Sequence, residues 1–151
     1  MKKLFLLLVA LIAATMSFAQ NTLVATLSHE SDVTMYYGSY ALRDAMNAAV
    51  SGDVINLSGG AFQAVDISKA VTLRGTGIDA VAPTYISGDF AINIPTEDAN
   101  RLTMEGIRCT GTISMSGSFN NPYFVKSSFY ALSYYNKNWG DNTPISINNA
   151  M

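Results

Sequence analysis

Charge, thiols and imidazoles are all scarce in this chain of 151 residues. Charged side chains make up 13% of it, with one Cys (Cys109) and one His (His29). A single thiol cannot close an internal disulfide, so a cystine framework is excluded. With no second His and no Asn motif beside it, Cys109 lacks the partners of a reactive nucleophile, and it reads as a small buried apolar residue. Nine basic residues face eleven acidic ones. The acidic groups are spread along the chain and no basic stripe exists, which argues against nucleic acid as a partner. No uninterrupted apolar run reaches the roughly 20 residues that span a bilayer. Asn-Gly and Asp-Gly, the dipeptides of tight hairpins, are missing from the strand-rich region.

What is present begins with an export signal. Lys2 and Lys3 form a charged start, residues 4–14 are apolar throughout, and Ser17-Phe18-Ala19 places small residues before Gln20. Residues 1–19 are therefore expected to be a secretory signal peptide. The mature protein is expected outside the cytoplasm: extracellular, at the cell surface or in the periplasm. No Cys follows the cleavage point to carry a lipid, so no stable membrane insertion is expected after signal cleavage.

Residues 20–52 read as extended segments and a helix. LVATL at 23–27 and VTMYY at 33–37 are rich in β-branched and aromatic residues and suggest a hairpin. Ser39 is a suitable N-cap. Leu42, Ala45, Met46, Ala49 and Val50 then fall on one helical face, and Gly52 stands where a left-handed residue would end the helix. So short a helix needs a surface to cover. From Asp53 the pattern changes to strands of three or four residues: VINL at 54–57, VDI at 65–67, VTL at 71–73, then TYI, AINI and LTM, then TISM, YFV and FYAL. A loose unit recurs as VTLRGTG from Val71, LTMEGIR from Leu102 and FVKSSFY from Phe124. Recurrence of this length is a solenoid signal. The expected fold is all-β, a right-handed parallel β-helix (a single-stranded solenoid) over residues 53–151 with an N-terminal capping α-helix. It would have about three coils, near the minimum for stability. An antiparallel sandwich is the alternative. It is disfavoured by the missing hairpin dipeptides and by the constant order of the strand triplets.

The stretch VSGDVINLSGGAFQAVDISKAVTLRGTG at 50–77 resembles the N-terminal coil of pectin-lyase-fold proteins: an Ala-rich helix ending in Gly52-Asp53, a strand, a turn from Gly59 to the aromatic Phe62, and a strand ending at Gly75. The whole mature region resembles exported β-helix proteins of Bacteroidota. The resemblance implies a fold shared by polysaccharide lyases, polygalacturonases, tailspikes and adhesins, and fold does not choose among these. The catalytic patterns of the enzymes do not carry over: the Asn-x-Asp, Asp-Asp and Gly-His-Gly motifs are absent, as is an Asp/Glu cluster for calcium.

Pro144 to Asn148 reads as the start of another strand, so the chain is expected to be the N-terminal piece of a longer protein with a truncated solenoid. Glu97-Asp98 with Glu105 offers oxygen ligands, but at no calcium-loop spacing, and a solvated turn is the simpler reading. Tyr134, Tyr135 and Trp139, set among Asn and Asp, suit stacking on sugar rings and form the candidate carbohydrate-binding group. The competing reading places Tyr130 and one of Tyr134 and Tyr135 in the core, with Trp139 covering a coil junction. Asn56 and Asn93 are expected to stack as an amide ladder. Gly75-Thr76-Gly77 lacks the Lys and helix of a phosphate loop. No cofactor, metal or catalytic residue is expected. The expected role is binding or adhesion, toward a polysaccharide or surface glycan. The alternative is the N-terminal part of a polysaccharide lyase or glycoside hydrolase whose active site lies beyond residue 151.

Overall fold

A computed structural model of the chain describes residues 22–95, 99–116, 122–135 and 146–148. These residues are mostly β, in two sheets, with one short helix among them. The first sheet holds β1 (Val24–His29), β2 (Asp32–Tyr37), β3 (Val54–Leu57), β5 (Thr72–Arg74), β8 (Thr103–Glu105), β10 (Tyr123–Val125) and β12 (Ser146–Asn148). Their order across the sheet is β12-β10-β8-β5-β3-β1-β2. The second holds β4 (Gly60–Gln63), β6 (Thr84–Ser87), β7 (Phe90–Ile92), β9 (Ile107–Ser116) and β11 (Ser128–Tyr135). It runs β11-β9-β6-β4, with β7 on β9 beyond β6. From β3 onward the chain shuttles between the sheets.

The expected right-handed parallel β-helix is corrected by this arrangement. The second sheet is wholly parallel, but the first is mixed: β1 runs antiparallel to both of its neighbours, β2 and β3. A parallel solenoid has no such pairs. The cause is local. A two-residue turn, with Glu30 at a φ of 50°, folds β2 back on β1. β1 then lies along β3 from Ala25↔Leu57 to Ser28↔Val54. The antiparallel sandwich fits no better, since every pairing in the second sheet is parallel.

The recurring unit sets the register. Thr72, Thr103 and Tyr123 pair in sequence across β5, β8 and β10, as do Leu73, Met104 and Phe124. Alternation sends the second set inward: Leu27, Ile55, Leu73, Met104 and Phe124 form one buried column. Phe62, Ile86 and Cys109 form the facing column on the second sheet, and Phe129 meets Phe124 edge-to-face at 5.1 Å. Each large apolar side chain so buried contributes about 1.5–3 kcal/mol. Cys109 is a core residue, and burial pushes its thiol pKa up to about 12. β9 turns its long course at Gly111, where an added Cβ would fall 2.2 Å from the Gly88 carbonyl oxygen. No side chain fits there.

Helix α1 (Ala41–Ala48) buries Ala41, Leu42, Ala45 and Met46 and touches β1, β2, β3 and β4. It starts one residue later than Ser39 would place it, after Tyr40, with no side-chain cap. Val50, expected on the buried face, is exposed because Ala49 already has extended backbone. The helix end is held from outside. Lys69 Nζ donates to the carbonyls of Met46, Asn47 and Ala49 at 2.9, 2.9 and 2.6 Å. The amide ladder does not form. Asn56 is in register with Arg74 in the first sheet, whereas Asn93 follows β7 in the second. The segment 65–67 is not a strand, and Ile67 makes a single bridge to Ile92.

Candidate functional site

Three chain crossings from the first sheet to the second lie side by side: residues 75–83, Gly106, and Lys126 with Ser127. Between them opens a cleft of about 700 Å³, lined by Arg74, Thr76, Ile78, Asp79, Glu105 and Lys126 over Gly75, Gly77 and Gly106. Register fixes its charges. Arg74 and Glu105 are paired positions on β5 and β8, and their side chains meet at 3.3 Å. Both are about half exposed, so the pair orients two charges more than it stabilises the fold. The corner is tied by buried hydroxyls. Thr84 Oγ1 donates to the Ser58 carbonyl at 2.9 Å and accepts the Thr76 amide at 3.0 Å. Ser127 Oγ accepts the Ile107 amide at 3.3 Å.

Lys126 occupies a position that suits glycine. Glu105 and Val125 are paired, so Gly106 and Lys126 are equivalent residues in adjacent crossings. Gly106 has a φ of 65°, and Lys126 has a φ of 44°. A non-glycine residue in that region carries about 1–2 kcal/mol of steric cost. Lys126 is exposed and lines the cleft. Strain of this kind gathers at working sites.

Arg108 links the cleft wall to the outer face of the second sheet. Ala61, Tyr85, Arg108 and Ser128 are in register across β4, β6, β9 and β11, and they lie on the face opposite the buried Phe62–Ile86–Cys109 column. The Arg108 guanidinium lies 5.8 Å from the Tyr85 ring centroid and donates to the Ile78 carbonyl at the cleft wall. Further along the strands Ser87, Thr110 and Tyr130 are exposed. Tyr130 is the correction here: placed in the core by the competing reading, it is 79% exposed. Phe129 before it takes the inward place, so the alternating pattern of SFY carried the signal.

Of the sequence-derived sugar-stacking group, Trp139 lies outside the described residues. Tyr134 and Tyr135 are placed by backbone at the end of β11, and their side chains lie outside the described set. Glu97 and Asp98 are also outside it. Glu105 is engaged by Arg74, and among the described residues no three His, Cys, Asp or Glu side chains gather as a metal group.

A second polar constellation was missed because its partners are distant in sequence. His29 Nδ1 lies 2.7 Å from Oδ1 of the buried Asp53, whose Oδ2 accepts the Val50 amide at 2.8 Å. Burial works against ionisation of Asp53, but the Val50 amide, His29 and Lys69 together outweigh it and hold the carboxyl below its ordinary range. The hydrogen bond and then the charge of Asp53 raise His29. With both Asp53 oxygens engaged, this pair clips the β1–β2 turn to the helix exit and serves architecture.

No family model, curated protein or solved structure matches this chain.

Proposed function

We propose that this is an exported protein, acting in the periplasm, at the cell surface or beyond it, that binds glycans without cleaving them. The observation that supports the reading is that one side chain, Arg108, joins the cleft wall to the outer face. Arg108 reaches both, lying over the Tyr85 ring and bonding the cleft wall at Ile78. Aromatic faces pack on the apolar faces of pyranose rings, while flanking hydroxyls and guanidinium donors take the ring hydroxyls. Tyr85 and Tyr130 supply the rings, and Ser87, Thr110, Ser128 and Gln63 supply the polar groups. Arg74 and Lys126 would receive an acidic substituent at the cleft end, and Glu105 aligns Arg74 for it.

Calorimetric titration with a panel of neutral and acidic oligosaccharides tests this. Binding should be saturable and should fall at least tenfold in Tyr130→Ala and in Tyr85→Ala, with unchanged thermal unfolding. Failure of every saccharide to bind, or indifference to both substitutions, would overturn the reading. Export is tested separately: mass spectrometry of protein secreted by a bacterial host should show an N-terminus at Gln20, and retained Met1 would refute it.

A further inference from the structure

β2 is the last strand on its side of the first sheet, and its outer edge pairs with no strand among the described residues. Val33, Met35 and Tyr37 alternate onto one face and are 61%, 56% and 62% exposed, with Tyr40 half exposed just beyond. Soluble proteins usually blunt such an edge with Lys, Pro or a bulge. β2 has none of these. Its one charge, Asp32, is at its first residue, and its ladder with β1 runs unbroken from Val24↔Tyr37 to His29↔Asp32. The backbone groups of Val33, Met35 and Tyr37 therefore point outward along this edge, under an apolar stripe made by the same three residues.

We propose that β2 is where two copies of this chain join, edge to edge and antiparallel, extending the first sheet across a two-fold axis. Self-complementarity points to a second copy. An antiparallel pair centred on Met35 sets Met35 against the partner's Met35 and Val33 against the partner's Tyr37, making one continuous apolar stripe of large side chains. Charge points the same way. The turn end of β2 carries Glu30 and Asp32, and the other end leads to Arg43, whose guanidinium lies 4.1 Å over the Tyr40 ring. Arg43 bonds Asp44 through Nε and Nη2, leaving Nη1 for another carboxylate. Antiparallel pairing brings each acidic turn toward the other copy's Arg43 end, whereas a parallel pair would set acid beside acid. An isologous joint of this kind uses the β2 edge of both copies, so assembly through this edge stops at the dimer.

Sedimentation across a wide concentration range should show the purified protein in monomer–dimer equilibrium. Met35→Lys sets two ammonium groups face to face at the axis and should weaken the dimer by about a hundredfold. Thermal unfolding of the monomer should not change, because the side chain is already more than half exposed. Geometry is read by crosslinking, which is clean because the native thiol is buried. Met35→Cys should give a disulfide-linked dimer on oxidation, while Val33→Cys should not. A monomer at every concentration, a dimer indifferent to Met35→Lys, assembly beyond two copies, or equal crosslinking through Val33→Cys would each overturn the proposal.

Discussion

Replacing Lys126 by glycine should make the protein more stable and worse at binding. The backbone there has a φ of 44°, and the equivalent residue one crossing away is Gly106. Removing the Cβ relieves about 1–2 kcal/mol of steric cost. Glycine loses more freedom on folding, which takes back roughly 0.5–1 kcal/mol. The first effect is the larger, and the net gain is about 0.5–1 kcal/mol. With a urea dependence near 1.5 kcal/mol per molar, the unfolding midpoint should rise by roughly 0.5 M. The residue lines the cleft and is exposed, so little packing is lost. Titration with an acidic oligosaccharide should show weaker binding and a shallower salt dependence, while a neutral one should bind as before. The reciprocal change, Gly106→Ala, should destabilise by more than about 1 kcal/mol, since a Cβ there adds that same steric cost and meets Gly77 atoms at 3.0 Å. If Lys126→Gly lowers the midpoint, the backbone reasoning is wrong. If it leaves acidic-glycan binding intact, Lys126 is not part of the site.

Three further outcomes are expected. Lys69→Met leaves the last carbonyls of α1 without their ammonium and should cost about 2 kcal/mol, because hydrogen bonds to a charged group each contribute about 1.5–3 kcal/mol and some are replaced by water; an unchanged urea midpoint would refute the capping role. The His29–Asp53 clip should be strongest in mildly acidic solution. The raised His29 contributes fully below its unfolded pKa of 6.5 and fades as pH rises through its folded value. The lowered Asp53 contributes above its unfolded value of 3.8 and fades as pH falls through its folded one. Midpoints followed against pH should flatten on the alkaline side in His29→Gln, and an identical profile would refute the clip. Incubation with polygalacturonate and calcium should yield no ultraviolet-absorbing unsaturated uronide; sustained product that vanishes in Arg74→Ala or Arg108→Ala would replace the binding reading with a catalytic one.

Much of the interior was legible in the sequence, since alternation is a property of each strand by itself. Leu73, Met104 and Phe124 stand at matching places in the recurring unit and share one buried column. Leu42, Ala45 and Met46 mark the covered face of the helix. How the first strands join the sheet was not legible. The β1–β2 turn uses Glu30 at positive φ, with no Asn-Gly or Asp-Gly to announce it, and the β1–β3 pairing spans some thirty residues of chain. The site was hidden for the same reason. Arg74, Glu105 and Lys126 look scattered until register sets them at one corner, and Lys126 looks ordinary until Gly106 beside it reveals the backbone it has to adopt.

The burial of Cys109 gives the protein a built-in clock. It is the one thiol in the chain, it sits in β9 between Ile86 of β6 and Phe129 of β11, and its raised pKa keeps it in the unreactive protonated form. An aromatic disulfide reagent can reach it when those strands part. Where reaction outruns reclosing, the colour released measures how often the second sheet opens, and where it does not, the population of the open form. With no mutation needed and no competing thiol, the native molecule reports the lifetime of its own core.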